Sequence, residues 1–152
     1  MPFLPALLAA AVAAMQLPGS LQRSDPVLVR RVVDGVTIEV AAFGRVRLLG
    51  LTAPFGPAAR ERLESLVLRH WIRLEYDGPA AATNRRHAAY VVREDGVFVN
   101  AAIVRDGLAR VSTRTALTRR QELQRAEREA RALRIGMWAQ PASRAAEKRR
   151  AN

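Results

Sequence analysis

The chain alternates short apolar runs with turn-forming residues over most of its length. VLVRRVV (27–33), VTIEVAAF (36–43) and GRVRLLGL (44–51) show the alternation expected of half-buried strands. The first two runs are separated by Asp34-Gly35, a strong signal for a tight hairpin turn. The pattern therefore predicts three strands joined by tight turns.

The next segments combine helical and strand patterns. PAARERLESLVLRHW predicts a first helix that opens after Pro57, because Leu63, Leu66 and Val67 recur at helical spacing. WIRLEY predicts a strand, and DGPAAATNRR a loop. HAAYVVREDGVFVNAAIV then predicts a strand, a turn, a short strand and a helix that ends by Gly107.

A long amphipathic helix is predicted in ALTRRQELQRAEREARALRIG. Gly136 is its predicted stop, and the face that alternates Arg with Glu is predicted to be solvated. The apolar stripe of this helix consists of Leu123, Ala126, Ala130 and Leu133.

Five strands with helices after the third strand and near the end indicate an α+β fold. A small, partly open barrel of the OB type fits this order. We assign residues 27–139 to this domain, 23–26 to a linker and 140–152 to a basic flexible tail.

Residues 1–22 carry no charged side chain and contain a compact apolar core. The core is shorter than the ~20 residues that comfortably span a bilayer, and it resembles the apolar region of a signal peptide. No basic residue precedes it, whereas Arg23, Arg30 and Arg31 follow it, as is typical of an uncleaved anchor. We expect an exported (periplasmic or extracellular) protein or one anchored in a membrane through residues 1–22.

The composition limits the chemistry that is available. The chain has no cysteine, which excludes disulfides, thiolate metal sites and a cysteine nucleophile. Its net charge is +11, and every basic residue except Lys148 is arginine. This excess favours phosphate-bearing or acidic partners, although an arginine-rich codon usage would produce the same count.

Five segments, taken in order, are similar to one known family. VVDGVTIEV, VRLLGLTAPFG, RRHAAYVV, DGVFVNAAIVRDGLARV and AEREARALRIGMW resemble the staphylococcal nuclease-like (thermonuclease) family between Val27 and Trp138. The resemblance implies a five-stranded OB-fold-type β-barrel with three helices. It also implies calcium-dependent cleavage of DNA and RNA, in which carboxylates hold Ca²⁺, a Glu acts as base or positions water, and two arginines neutralise charge on phosphorus.

At the positions where the family has catalytic and metal-binding acids, this chain has other residues. The family hairpin reads Asp-Gly-Asp-Thr, and Val36 stands where its metal-binding Asp is expected. Thr52 stands at the second metal-binding Asp, and Phe55 at the catalytic Glu. We therefore expect no catalytic residues, no bound calcium and no other cofactor. Three acids could substitute for the missing ones: Asp34 beside the turn, which the turn itself explains, and Glu39 and Asp77 on nearby segments.

Both arginines of the resemblance are retained. Arg47 matches the first phosphate-clamping arginine and Arg86 the second, and Arg85 and His87 lie beside the latter. These four residues are the candidates for nucleic-acid binding. For Arg47, the alternative is a surface strand residue that pairs with a neighbouring Glu.

Aromatic residues for base stacking are scarce in this sequence. Ser112-Thr113-Arg114-Thr115 occupies a stretch where the family commonly places Tyr, and we expect Trp71 and Trp138 in the core. Two functions remain. The first is an inactive binding or scaffold module, which acts as an accessory subunit and has protein partners in an envelope or membrane complex. The second is a non-specific nucleic-acid binder, or a weak nuclease that uses the retained arginines.

Overall fold

The computed structural model describes residues 21–52, 54–78, 88–114 and 116–139. Within these ranges the chain forms eight strands, three helices and one 3₁₀ turn. The strands are Gln22–Arg23 (β1), Val27–Asp34 (β2), Thr37–Val40 (β3), Gly44–Leu48 (β4), Leu51–Thr52 (β5), Trp71–Tyr76 (β6), Ala88–Arg93 (β7) and Arg110–Val111 (β8). The helices are Gly56–Val67 (α1), Val99–Arg105 (α2) and Arg120–Leu133 (α3), and the 3₁₀ turn is Gly136–Trp138.

Five of the strands close into a mixed barrel. β2, β3 and β4 form an antiparallel meander, and β4 then pairs in parallel with β7, with Arg47 opposite Ala88. β7 is antiparallel to β6, and β6 returns to β2 where Val27 lies opposite Ile72. A parallel pair requires a long crossover, which α1 and β6 provide between β4 and β7. The predicted α+β class and the OB-fold-type barrel with three helices are confirmed.

The β2–β3 turn is fixed by a side chain and by a close approach. Asp34 Oδ1 accepts a 2.8 Å hydrogen bond from the Val36 backbone N–H, which closes the turn. A Cβ at Gly35 would lie 2.5 Å from the Cβ of Ala59 on α1, so only glycine fits. The Asp-Gly signal therefore both reverses the chain and lets α1 approach the hairpin.

The segment predicted as a linker, 23–26, begins in a short strand and makes hydrogen bonds to the barrel strand β6. β1 is antiparallel to β6, with Arg23 opposite Glu75. The Ser24 N–H donates to the Leu74 carbonyl at 2.8 Å, and Ser24 Oγ accepts from the Leu74 N–H at 2.9 Å. The segment has the composition of a linker, but the Ser24 hydroxyl continues the hydrogen bonding to β6 beyond the end of β1.

Helix α1 packs against the barrel as its periodicity predicts. Ala59, Leu63, Leu66 and Val67 are its buried residues. Gly56–Val67 begins one residue before Pro57, which occupies a first-turn position where its missing N–H costs nothing. The predicted apolar face of this helix is confirmed.

Helix α3 is shorter than predicted and ends for a different reason. It runs over Arg120–Leu133, and Arg134, in the left-handed region at φ 53°, follows it in place of the predicted glycine stop. Leu123, Ala126 and Ala130 are buried, but Leu133 is 69% exposed and does not belong to the core. The final apolar position of the predicted stripe therefore meets solvent.

A buried carboxylate connects the barrel to the start of α3. Glu75 on β6 is 1% exposed and receives Arg119 Nη2 at 2.7 Å and Arg23 Nε at 2.8 Å. The Arg119 guanidinium also lies 4.6 Å from the centre of the Phe98 ring. Removal of either arginine would leave a buried charge with fewer partners, which is more costly than the loss of a surface ion pair.

The buried amide of Asn100 joins α2 to β7 and to the residue that follows β4. Its Oδ1 accepts a 2.9 Å hydrogen bond from the Val91 N–H, and its Nδ2 donates to the Leu49 carbonyl at 3.0 Å. Both amide groups are thereby satisfied in an apolar environment, as a buried polar side chain requires. The contact positions the end of β4, from which the functional residues below project.

Among the described residues, no helix is long and apolar enough to span a bilayer. Positions 1–20 of the predicted leader lie outside the described ranges, as does the predicted tail from position 140.

Asp77 provides a prediction for the pH dependence of stability. Burial alone would raise the pKa of this carboxyl group, but hydrogen bonds from Thr118 Oγ1 (2.6 Å), Thr118 N (2.7 Å) and the Tyr90 hydroxyl (2.8 Å) lower it overall. A lowered native pKa contributes stability above the ordinary Asp range, and this contribution is lost as pH falls through the native value. We expect Asp77→Asn to reduce the free energy of unfolding at neutral pH by about 1–3 kcal/mol.

The measurement is urea denaturation of both proteins between pH 7 and pH 3. The difference between them should shrink towards the acidic end, because the wild type then loses the same interaction. Asp25→Asn, at an exposed position, is the control and should change little. A deficit that is equal at both ends of the pH range would contradict this assignment.

Candidate functional site

An open cavity of about 660 Å³ lies where the ends of β4 and β5 meet β8 and α3. Its described lining includes four arginines on four different parts of the chain, one carboxylate and three hydroxyl groups. These side chains are Arg47, Arg110, Arg114, Arg131, Glu127, Thr52, Ser112 and Thr113. They give the cavity wall a formal charge of +3 at neutral pH.

A small two-stranded sheet forms one wall. β5 and β8 are antiparallel, with Thr52 opposite Arg110. The Ser112 N–H extends this pairing by donating to the Gly50 carbonyl at 2.8 Å. The pairing brings Arg110 and the following residues, up to Arg114, beside the barrel strand that carries Arg47.

Arg47 presents a guanidinium group that no described carboxylate neutralises. It is exposed on β4, and its Nη2 donates only a long 3.5 Å hydrogen bond to the Leu51 carbonyl. The nearby Glu39 instead pairs with Arg31 at 2.8 Å. The alternative in which Arg47 pairs with a neighbouring Glu is therefore wrong within the described residues.

Arg110 and Arg131 are held at the cavity by an aromatic ring. Their guanidinium carbons lie 4.8 Å and 4.2 Å from the centre of the Trp138 ring. Stacking of this kind occupies the face of a guanidinium and leaves its N–H edges available to an anion. Trp138 is half-buried, so it is a support at the rim of the fold and not a core residue.

The prediction that Trp71 lies in the core is wrong. Its side chain is 54% exposed on β6, opposite the 44% exposed Leu28 on β2. Trp71 is the first residue of its strand, and its side chain points away from the barrel interior, where Ile72 is fully buried.

Glu127 is the carboxylate of the cavity wall, and it is already engaged. Its Oε1 accepts a 3.3 Å hydrogen bond from the Val111 N–H, and its Oε2 lies 3.4 Å from Arg131 Nη2. These contacts fix β8 to α3. Glu127 therefore has a structural role in assembling the cavity.

The three positions of the expected acids do not meet in this cavity. Val36 is 1% exposed and belongs to the hydrophobic core. Thr52 lines the cavity, whereas Phe55 is not among its described lining residues. Phe55 is 48% exposed, and its backbone N–H donates to the Leu108 carbonyl at 2.8 Å, just ahead of α1.

The acids considered as substitutes are used elsewhere. Asp34 closes the hairpin turn, Glu39 pairs with Arg31, and Asp77 accepts hydrogen bonds from Tyr90 and Thr118. None of the three lines the cavity among the described residues. Burial and the hydrogen bond to Asp77 raise the pKa of Tyr90, so this hydroxyl stays protonated as a donor.

The second retained arginine, Arg86, lies outside the described residues, together with Arg85 and His87. Ala88, the first described residue after them, lines the cavity.

The donor set of this cavity does not fit calcium. Ca²⁺ takes 6–8 oxygen ligands, among them several carboxylates. The cavity offers one carboxylate, already bonded to a backbone N–H and to Arg131, among four cations. No group of three or more His, Asp or Glu residues suited to a metal occurs in the part of the chain that the structure describes.

The sequence analysis missed three of the four cavity arginines as site residues. Arg131 follows the buried Ala130 on α3, but its side chain is 55% exposed. Helical periodicity therefore does not distinguish it from the other exposed arginines of this helix. Arg110 and Arg114 come to the cavity only through the β5–β8 pairing.

The fold and the site together define a class of protein. A five-stranded barrel with three helices carries a cationic cavity at the edge of the strand that bears Arg47. The model of the staphylococcal nuclease homologue family matches residues 36–140, and the chain belongs to this family. It is similar to Protein ParB of Escherichia coli, at 30% identity over 125 residues that cover 73% of this chain and 71% of the relative.

The stacking of Arg131 on Trp138 predicts a measurable coupling between the two side chains. We expect a double-mutant cycle of Arg131→Ala and Trp138→Leu to show a coupling free energy of about 0.5–1 kcal/mol in urea denaturation, as cation–π pairs at partly exposed sites do. Arg128, an exposed arginine on the same helix, has no stacking contact with Trp138 among the described residues. The cycle of Arg128→Ala with Trp138→Leu should therefore show no coupling, and equal coupling in both cycles would refute the contact.

Proposed function

We propose that this chain is a non-catalytic binding module of the staphylococcal nuclease family, and that its cavity binds a phosphate-bearing polyanion such as single-stranded nucleic acid, without sequence specificity. The observation that carries this proposal is the composition of the cavity wall, with four guanidinium groups and a single, already engaged carboxylate.

The arginines favour binding of phosphate. A guanidinium group is planar, always charged, and offers paired N–H donors that match two oxygens of a phosphate. Within the described residues, the side chains of Arg47 and Arg114 form no ion pair, so their charge is available to a ligand. The net charge of +11 adds long-range attraction that salt weakens.

The same wall argues against hydrolysis. Loss of a general base alone typically lowers a rate by about 10²–10⁴. A metal ion would supply charge stabilisation at phosphorus, but four cations around one engaged carboxylate repel a dication. The proposal therefore includes neither a calcium site nor a catalytic residue.

The first test measures binding of a short fluorescein-labelled strand of DNA by fluorescence anisotropy at several salt concentrations. Arg47→Ala combined with Arg114→Ala should weaken binding and reduce the slope of log K against log salt by about 1.4, at ~0.7 for each lost phosphate contact. Arg30→Ala combined with Arg128→Ala removes the same charge from exposed positions outside the described cavity lining. This control should retain the wild-type slope.

The same samples test for catalysis. The strand should keep its full length on a denaturing gel after incubation with Ca²⁺ or with EDTA. Calcium-dependent shortening that disappears in Arg47→Ala would overturn the non-catalytic assignment. Equal loss of binding in both double variants would show that only total charge matters and that the cavity has no role.

A second candidate function is a scaffold role, in which the chain is an accessory subunit of an envelope or membrane complex. Residues 1–22 would export the chain or anchor it in the membrane. The observation in its favour is an exposed apolar pair on the barrel surface, where Leu28 (44% exposed) and Trp71 (54% exposed) lie opposite each other on β2 and β6. Cross-strand neighbours share a face, so the two side chains form one apolar surface.

The scaffold candidate predicts a protein partner at this surface. A photo-crosslinking amino acid in place of Trp71, in the full chain expressed in its native cells, should give one discrete crosslinked species. The same amino acid in place of the exposed Arg128 should give none. Identical patterns from both positions would count against the scaffold role.

A further inference from the structure

We infer that the cavity recognises a chain of phosphate groups and does not recognise the bases of a nucleic acid. This inference rests on the proposed function and specifies its ligand class as linear polyphosphate chemistry, supplied either by inorganic polyphosphate or by a sugar–phosphate backbone. It predicts that a ligand without bases binds as well as a nucleic acid of equal phosphate count.

The cavity wall carries no aromatic side chain among its described residues. Besides the four arginines and Glu127, its lining consists of aliphatic, glycine and hydroxyl residues. The short undescribed stretches within the domain add no Phe, Tyr or Trp, because residues 79–87 read PAAATNRRH, position 53 is Ala and position 115 is Thr. Single strands are usually held by bases stacked on aromatic rings, and this wall has no such ring.

No aromatic ring elsewhere in the described chain is among the lining residues. Tyr90 and Tyr76 are buried in the core, and Phe98 lies under Arg119. Trp138 is in contact with two of the cavity arginines, Arg110 and Arg131. It serves to hold two cations and not to receive a base.

The arrangement of the cations suits several phosphates in succession. Arg47 comes from β4, Arg110 from β8 and Arg131 from α3, while Arg114 follows β8, so the charges surround the cavity from separate elements. A volume of about 660 Å³ falls within the range typical of ligand sites. With a formal wall charge of +3, the cavity can balance more than one phosphate.

Hydroxyl groups complete the lining. Thr52, Ser112 and Thr113 lie between the arginines and supply neutral O–H donors. Ser112 Oγ accepts a 3.4 Å hydrogen bond from the Arg114 N–H, which leaves its own proton available for an anionic oxygen. Guanidinium N–H and hydroxyl O–H donors both match the oxygens of phosphate. The lining side chains offer few acceptors for the edge of a base.

The experiment is a competition against the fluorescein-labelled DNA strand on the full chain. The competitors are an unlabelled strand, an abasic strand of the same length, and inorganic polyphosphate with the same number of phosphates. We expect the abasic strand to compete within about threefold of the base-bearing strand, whereas a single aromatic stack would separate them by about fivefold or more. Arg47→Ala combined with Arg114→Ala should lose polyphosphate binding, and Arg30→Ala combined with Arg128→Ala should keep it.

The arms of the competition distinguish the two sources of phosphate. Stronger competition by polyphosphate assigns the cavity to the inorganic chain, and stronger competition by the abasic strand assigns it to the sugar–phosphate backbone. If only the base-bearing strand competes, the inference is overturned while the proposed function stands. If the labelled strand does not bind at all, the proposed function fails first.

A gain-of-function variant tests the reason for the inference. Thr113 is exposed, lines the cavity and lies in the stretch that lacks aromatic residues. Thr113→Tyr should make the base-bearing strand compete better than the abasic strand. A ratio that stays unchanged would count against the inference, because the missing ring would then not be the cause.

Discussion

The close approach of Gly136 to Gly107 is the constraint on which the cavity depends. A Cβ on Gly136 would overlap the carbonyl oxygen of Gly107, and a Cβ on Gly107 would overlap that of Ile135. The Met137 N–H donates to the Gly107 carbonyl at 2.9 Å, so the 3₁₀ turn after α3 is fixed against the turn that leads into β8. Trp138 therefore lies beside both Arg110 on β8 and the last turn of α3, where it holds two of the four cations.

The charge of the protein is unevenly balanced over its surface. Among the described residues, most arginines outside the cavity form ion pairs, as Arg31 does with Glu39 and Arg105 with Glu129. At the cavity, one carboxylate faces four guanidinium groups. Exposed ion pairs contribute little to stability, whereas an uncompensated cluster of cations creates a local potential that attracts anions. The position where the family resemblance expects an acid, Val36, contributes to the core instead.

Short-range sequence patterns predicted much of the fold. Asp34-Gly35 predicted the first hairpin because both its hydrogen bond and its turn geometry lie within a few residues. Leu63, Leu66 and Val67 identified the buried face of α1. The errors arose where the outcome depends on distant partners. Arg23 and Ser24 lie in a segment with the composition of a linker yet bond to β6, and Leu133 keeps the periodicity of α3 but is exposed.

By itself, the sequence determined the class of fold and the absence of thiol chemistry, and it predicted both the substitutions at three acidic positions and Arg47 as a site residue. Each of these follows from residue identity, from short-range spacing, or from the order of segments shared with a family. Only the tertiary structure decided that Arg110, Arg114 and Arg131 join Arg47 in one cavity, and that Val36 and Phe55 do not line it. The physical reason is that non-local strand pairing and the contact between two glycines bring these side chains together, and neither leaves a periodic signal along the chain.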